Sequence, residues 1–456
     1  MTLPERLASH RLGLLALVLI GAVTNRTFLT WLSSGLETAL FNLCFTLWIY
    51  WALQPSYPQV RAWLFWLSSS ATLTALARPD GLLTVVATIA LLGLARFTHP
   101  EPASAWLKKL PWAAPLLGTV VHLLWRHSTY GEWLPNSYYA KQVRPWPESG
   151  LRYAASFILD YAVWVWIALA FVWLIKSRRI SRQSLIVAGV LAAHFAYYTF
   201  YIGGDHFEYR VYSHLVLLFL VSFIWFGARL DLSFVRILCF LGFYLCFGWL
   251  LPWTHYVETK GLNTRAETTY MFRPLGDRFP PILRLYAAAF DNLQAWLIKH
   301  AVCMRHQEHK IYYEYMTRTL PSREEGAQIE WDGYPVHVSA SVGVVGWVLP
   351  NVAVIDKLGL NDYVIARTPV FAPNENRIMA HDRRSPPGYV ECFRANVVLS
   401  MEADQEKTVF TEVERLGTPA TRRQIALTRR DTSLSAENIR ACEAYYVHLR
   451  ALYRKK

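Results

Sequence analysis

Leu185 to Leu251 reads LIVAGVLAAHFAYYTFYIGGDHFEYRVYSHLVLLFLVSFIWFGARLDLSFVRILCFLGFYLCFGWLL. Three apolar blocks stand out, Leu185 to Tyr201, Val211 to Phe226 and Ile237 to Leu251. Crossing a bilayer as a helix takes roughly 20 predominantly apolar residues, so each block reads as a membrane span with soft ends. The connection between the first two is unusual. Gly203 to Arg210, GGDHFEYR, sets two acids, a histidine and an arginine between hydrophobic segments.

The pattern continues toward the N-terminus. Leu12 to Leu29, Leu36 to Leu53, Ala62 to Ala77, Leu82 to Ala95, Leu110 to Trp125 and Tyr153 to Ile175 bring the apolar segments to nine. A cleavable signal peptide has one such stretch before a polar mature chain, so the first segment reads as a retained span. Hydrophobic residues make up 54% of the chain and charged residues 17%, with a mean hydropathy of +0.19. Near Leu251 and Pro252 the composition changes, with 10 of the 33 acidic residues before that point and 23 after it. Two solvents are implied. The expected fold class is a multi-span α-helical membrane protein, with residues 1–254 as the transmembrane domain and 255–456 as an extracytoplasmic α/β domain.

Orientation follows from the basic residues. With a cytoplasmic N-terminus the inner segments carry twelve lysines and arginines and the outer loops six, so the positive-inside bias places the N-terminus inside. An odd number of spans then puts the C-terminus outside. The net charge of +13 is concentrated in the membrane half, which holds 19 basic and 10 acidic residues, and calls for no nucleic acid. Cys44, Cys239 and Cys246 fall in spans, where small apolar packing is the ordinary role. Cys303, Cys392 and Cys442 follow with no CxxC spacing, which allows one disulfide at most.

With this topology the unusual polar clusters share the outer face. They are Ser33 to Glu37 (SSGLE), Arg78 to Gly81 (RPDG), Tyr130 to Lys141 (YGEWLPNSYYAK) and Gly203 to Arg210. Charged groups at membrane depth are costly, and their gathering on one face suggests a polar cavity. Each also has an ordinary explanation. Arg78 and Asp80 fit a helix-to-helix turn broken by Pro79 and Gly81, Trp133, Tyr138 and Tyr139 fit an interfacial aromatic belt, and two glycines permit an exposed turn at 203–204. Glu37, at the end of an apolar helix, fits either a cation pair or catalysis.

In the tail, Tyr334 to Val338 and Ala353 to Ile355 are short β-branched runs, with Gly343 and Gly346 between them. The glycines lack phosphate-loop spacing. The last 50 residues, with Arg422-Arg423 and Arg429-Arg430, read as solvated helices.

SSGLETALF, ARPDG, GEWLPNSYYAK and GGDHFEYR, followed by VGVVGWVLPNVAVIDKLGLNDYVIAR and MAHDRRSPPGYVE, resemble blocks of the GT-C-fold membrane glycosyltransferases that use a polyprenyl-phosphate sugar. Within these the similarity is to bacterial arabinofuranosyltransferases, of the kinds that finish actinobacterial cell-wall arabinan and arabinosylate type IV pilin. The ordered blocks run from about Thr30 to Glu391. The resemblance implies a GT-C-like fold, a multi-pass protein of the bacterial cytoplasmic (inner) membrane, and transfer of arabinofuranose to an extracytoplasmic glycan or pilin-like protein. Members of the family usually place a helix, an acidic outer loop and a second helix before the SGLE block. Here one helix precedes it, so two of the family's helices and the usual loop base have no counterpart, and a start placed too late, a shortened variant and a different carboxylate as base all stay open.

The chemistry defines the residues sought. A phosphate monoester is a stable leaving group, so cations rather than a general acid must stabilise the developing charge. The acceptor hydroxyl needs a base within hydrogen-bond reach. Arg210, Arg78 and Lys141 are expected to hold the lipid phosphate, Asp205 to act as base with Glu37 and Asp80 behind it, and His206, Glu208 and Asn136 to complete the site. A divalent cation is compatible with this set, although no distinctive ligand spacing is present. Asp356, Arg377 and His381 match blocks of the family, with loop-fixing and acceptor contact both open. A polar outward cavity also suits a transporter or flippase of lipid-linked sugar, although no half-to-half repeat is visible, and the missing loop suits an inactive scaffold.

Overall fold

A computed structural model describes residues 5–56, 59–98, 102–177, 180–259, 261, 280–331, 335–340, 342–363, 365–370, 376–385, 390, 395, 397–401 and 408–412. The chain is mostly helical. Four helical segments are long and apolar enough to cross a membrane, Pro79–Thr98, Arg182–Ile202, Arg210–Arg229 and Phe234–Thr259, and the number rises to six if two bent pairs each count as one span. Nine such helices are not present among the described residues. Thr38–Leu53 is apolar but shorter. Val60–Ala77 carries the polar run Ser68 to Ser70 with Thr72 and Thr74, and Leu110–Ala113 is a 3-10 turn ahead of the 15-residue helix Leu116–Tyr130.

The bent pairs correct two of the expected spans. Arg11–Thr24 and Arg26–Ser33 meet at 71°, and Pro147–Asp160 and Val163–Lys176 meet at 89°. Asn25 makes the first break. Its backbone is extended and its side chain accepts from Phe28 N, capping the second helix of the pair. At the second break Ala162 adopts a left-handed conformation, φ 48°. A non-glycine residue is held there only when its surroundings overdetermine it.

Both breaks adjoin one buried ionic network. Arg26 reaches Glu208 at 3.3 Å and donates to the Pro252 carbonyl at 2.9 Å. Arg305 donates through Nη1 to Asp160 Oδ2 at 2.7 Å and Glu208 Oε1 at 3.1 Å, and through Nη2 to Gln294 Oε1 at 2.8 Å and the Tyr209 hydroxyl at 3.2 Å. An ionised group in an apolar helix must find a partner or pay a desolvation cost of several kcal/mol. Arg26 and Asp160 find theirs by turning the chain aside.

Two compact units result. The first comprises Met1–Trp133 and Arg144–His306, the second Leu134–Val143 and Gln307–Lys456. The division therefore falls later than 254, because Pro281–Lys299 packs on the first unit, with Phe290 and Ala287 against Leu251. In the first unit, Phe41, Trp48, Trp63, Leu67 and Leu91 fill one core and Leu14, Leu220, Phe223, Leu241 and Tyr244 another. In the second unit, strands β1 (Val336–Ser339) and β2 (Ala353–Asp356) pair in parallel across the helix Val342–Val348. β3 (Val397–Met401) and β4 (Thr408–Glu412) form an antiparallel pair. Among the described residues these two-stranded pieces do not support the α/β domain expected from the sequence. Cys392, Cys442 and the basic pairs near the C-terminus lie outside the described residues. Cys44 is buried as expected, whereas Cys239 and Cys246 are exposed.

A tight helix approach falls at Gly150. A Cβ there would lie 1.8 Å from the Thr199 carbonyl oxygen, whereas one at Gly189 would meet nothing within 4 Å. Gly150→Ala is expected to destabilise the protein by about 1–3 kcal/mol, as overpacking does. Gly189→Ala, in an open helical position, should be neutral or stabilise by about 0.5–1 kcal/mol. Thermal unfolding midpoints of the two variants check the opposite signs.

Candidate functional site

The polar loop after the Arg182–Ile202 helix is built from close packing. That helix ends in a π turn, Tyr197–Ile202, a widening frequent at functional sites. Gly203 and Gly204 follow with φ of 92° and 98°. A Cβ on Gly203 would strike Trp146 and one on Gly204 would strike Tyr153, each at 2.8 Å. Both conformation and space demand glycine. The loop is then stitched to the segment after Pro281–Lys299, with Cys303 N donating to Asp205 O at 2.9 Å, Met304 N to His206 O at 2.7 Å and Glu208 N to Met304 O at 2.9 Å. Cys303 is fully buried, and burial pushes its thiol up to about 12, which keeps it protonated.

Within this loop Asp205 and Arg210 form a bidentate pair, Nε to Oδ2 at 2.8 Å and Nη2 to Oδ1 at 3.3 Å. Oδ1 also accepts from His206 N at 2.9 Å. The expected base and an expected phosphate ligand are thus bonded to each other. Phe207 lies under the guanidinium, 4.8 Å from its carbon to the ring centre. His206 Nδ1 is 2.8 Å from the Ala301 carbonyl, and since a carbonyl only accepts, Nδ1 carries the proton.

Arg78 and Asp80 repeat the arrangement. Nε donates to Oδ1 at 3.1 Å and Nη2 to Oδ2 at 2.9 Å, and Nη2 also donates to the Tyr198 hydroxyl at 2.8 Å. Oδ2 accepts further from Tyr198 at 2.9 Å and from His194 at 3.0 Å. Phe41 covers one face of the guanidinium at 4.8 Å. Arg78 feels the charges of Glu37 and Asp205 as well as Asp80, so three of the four polar clusters come together in the first unit.

Arg78 and Arg210 therefore share one feature. Each commits Nε and Nη2 to an aspartate, and Nη1 has no hydrogen bond among the described residues. The carboxylates divide differently. Asp80 and Asp205 are buried and accept on both oxygens. Glu37 is exposed, and its side chain does not cap the helix it precedes.

The remaining expected residues lie elsewhere. Glu208, 1% exposed, belongs to the buried network with Arg26 and Arg305. Lys141 and Asn136 belong to the second unit. There Asn136 Nδ2 donates to the carbonyls of Gly359, Leu360 and Asp362 within 3.2 Å, and Oδ1 accepts from Arg367 at 2.8 Å. Arg367 is stacked between Tyr139 and Tyr363, and Arg383 donates to the carbonyls of Tyr139, Gln142 and Thr368. The 134–143 segment is thus clasped by side chains of its own unit, which accounts for Asn136 structurally. Burial lowers the His381 pKa and Lys141 adds to the effect. Asp356 closes the following turn by accepting from Leu358 N and Asn361 N, both at 2.9 Å, and Arg377 pairs with Asp382 at 3.1 Å.

Sequence reasoning missed His194, Tyr198, Arg26, Asp160 and Arg305. All but Arg305 lie in apolar stretches read as spans, and an ionisable group at membrane depth is a functional signal by itself. Among the described residues no three His, Cys, Asp or Glu side chains gather as a metal site. No family model matches the chain, and neither a curated protein nor a solved structure matches it.

Proposed function

We propose that this protein is a membrane glycosyltransferase that moves a sugar, arabinofuranose on the sequence resemblance, from a polyprenyl-phosphate donor to an extracytoplasmic glycan or protein acceptor. The observation that carries the reading is the pair of arginines, each fixed on an aspartate with Nη1 left over, with the exposed carboxylate of Glu37 near enough for Arg78 to feel its charge. A guanidinium held along one edge is pre-organised to bind an anion along the other. Arg78 and Arg210 would receive the phosphate oxygens of the donor. Glu37 takes the proton of the acceptor hydroxyl as its oxygen bonds the anomeric carbon. The bond from that carbon to the phosphate oxygen breaks, and its electron pair leaves on the polyprenyl phosphate. The basic inner segments favour a cytoplasmic N-terminus in a bacterial inner membrane, with the site on the outer side.

The test uses the full chain in nanodiscs. Arg78→Gln is expected to weaken binding of undecaprenyl phosphate by about tenfold or more, the scale of a hydrogen bond to a charged group. Arg229→Gln, in the last turn of Ser213–Arg229, is expected to leave it unchanged. Equal effects would remove the clamp. Movement of lipid-linked arabinofuranose across the bilayer with no new glycosidic bond would favour the flippase.

A further inference from the structure

Arg78 is aimed by Asp80, and Asp80 is in turn held from another helix. His194, in the last turn of Arg182–Ala196, brings Nε2 to 3.0 Å from Asp80 Oδ2. Tyr198 in the π turn brings its hydroxyl to 2.9 Å from the same oxygen. A carboxylate in a bidentate arginine pair only accepts, so Nε2 of His194 carries a proton and donates it to the bond. Oδ2 then has three donors, from Arg78, His194 and Tyr198, and Phe41 closes one face of the guanidinium. The edge that includes Nη1 is the part of Arg78 this cage leaves over.

We infer that His194 is a positioning residue for the donor phosphate, acting through Asp80 on the orientation of Arg78; this rests on the phosphate-clamp reading above. Its surroundings are otherwise those of a packing residue. His194 is 2% exposed and lies against Phe41, Phe45 and His214. An apolar side chain of similar size would fill that space without the cost of a polar ring at membrane depth. What the imidazole adds is the bond to Oδ2. Without it, Asp80 keeps its pairing with Arg78 but loses one of the two anchors to the 182–202 helix, so the ion pair can turn as a unit and Nη1 with it. Such a loss falls on phosphate binding before it falls on chemistry.

The experiment measures undecaprenyl phosphate binding by the full chain in nanodiscs, with thermal midpoints recorded in parallel. His194→Leu is expected to weaken binding about tenfold, in line with loss of a hydrogen bond to a charged group. His194→Gln, whose amide nitrogen can take the place of Nε2, is expected to restore most of it. In an Arg78→Gln background His194→Leu should add little, because the two act through one contact. If His194→Leu does not fold, His194→Asn, whose amide stops short of Asp80, takes its place and should lose the same factor. Unchanged affinity in His194→Leu or His194→Asn beside a weakened Arg78→Gln would overturn the inference and leave the clamp standing. A full additional loss on top of Arg78→Gln, or a His194→Gln no better than His194→Leu, would overturn it too. Unchanged affinity in Arg78→Gln would remove the clamp and the role of His194 together.

Discussion

Arg305→Met is expected to remove about 3–5 kcal/mol of stability, the cost of leaving buried charges without their partner. The methionine fills much of the same volume between Tyr209 and Phe290, over whose rings the guanidinium lies at 5.1 and 5.5 Å. Packing is therefore largely kept and charge pairing is not. Asp160 and Glu208, 0% and 1% exposed, lose an ion pair each, and Gln294 and Tyr209 lose a donor. The network also stands where the helical pairs break and where the 203–210 loop is stitched to residues 303–304. Loss of Arg305 is thus expected to loosen the loop that carries Asp205 and Arg210. Arg152→Met is the control. Its pair with Glu148 is exposed and one turn apart at 3.1 Å, and such pairs contribute about 0–1 kcal/mol. Thermal midpoints of the two variants should separate clearly. Equal midpoints would mean that the buried network does not anchor the fold.

Glu37→Gln is expected to lower sugar transfer by about 100 to 10,000-fold, the range for losing a general base, while binding of undecaprenyl phosphate stays as in the wild type. The amide keeps size and hydrogen bonding and removes proton affinity. Asp205→Asn should behave differently. Asp205 is paired through both oxygens with Arg210, so neutralising it frees the arginine from its carboxylate, and the primary change is expected in donor affinity. Acceptor mass after incubation with lipid-linked arabinofuranose, beside equilibrium binding of the lipid phosphate, separates the two roles. Full transfer by Glu37→Gln would exclude Glu37 as the base. Abolished transfer with normal donor binding in Asp205→Asn would return that role to Asp205.

These expectations differ from those of the sequence because proximity in the chain is a poor guide to partnership. GGDHFEYR presents Asp205, His206, Glu208 and Arg210 as one polar group. In the fold they divide, with Asp205 paired to Arg210 and Glu208 drawn into the network with Arg26 and Arg305. Likewise YGEWLPNSYYAK reads as one loop, yet it divides after Trp133, and Leu134–Val143 joins the second unit.

The sequence by itself determined the solvent and the class of structure. Apolar blocks of helical length specify helices in a membrane, because burial of apolar surface depends on local composition and can be summed along the chain. It also located the polar clusters at Glu37, Arg78 to Asp80 and Gly203 to Arg210. The tertiary structure decided how the charges pair, where the helices bend and which carboxylate is left over. Arg26 meets Glu208 at a separation of 182 residues, and Arg305 meets Asp160 at 145. An ion pair is an interaction between two particular groups over a few ångströms. Hydropathy averages each of them with its chain neighbours, so Arg26 and Asp160 vanish into apolar segments until the fold places their partners beside them.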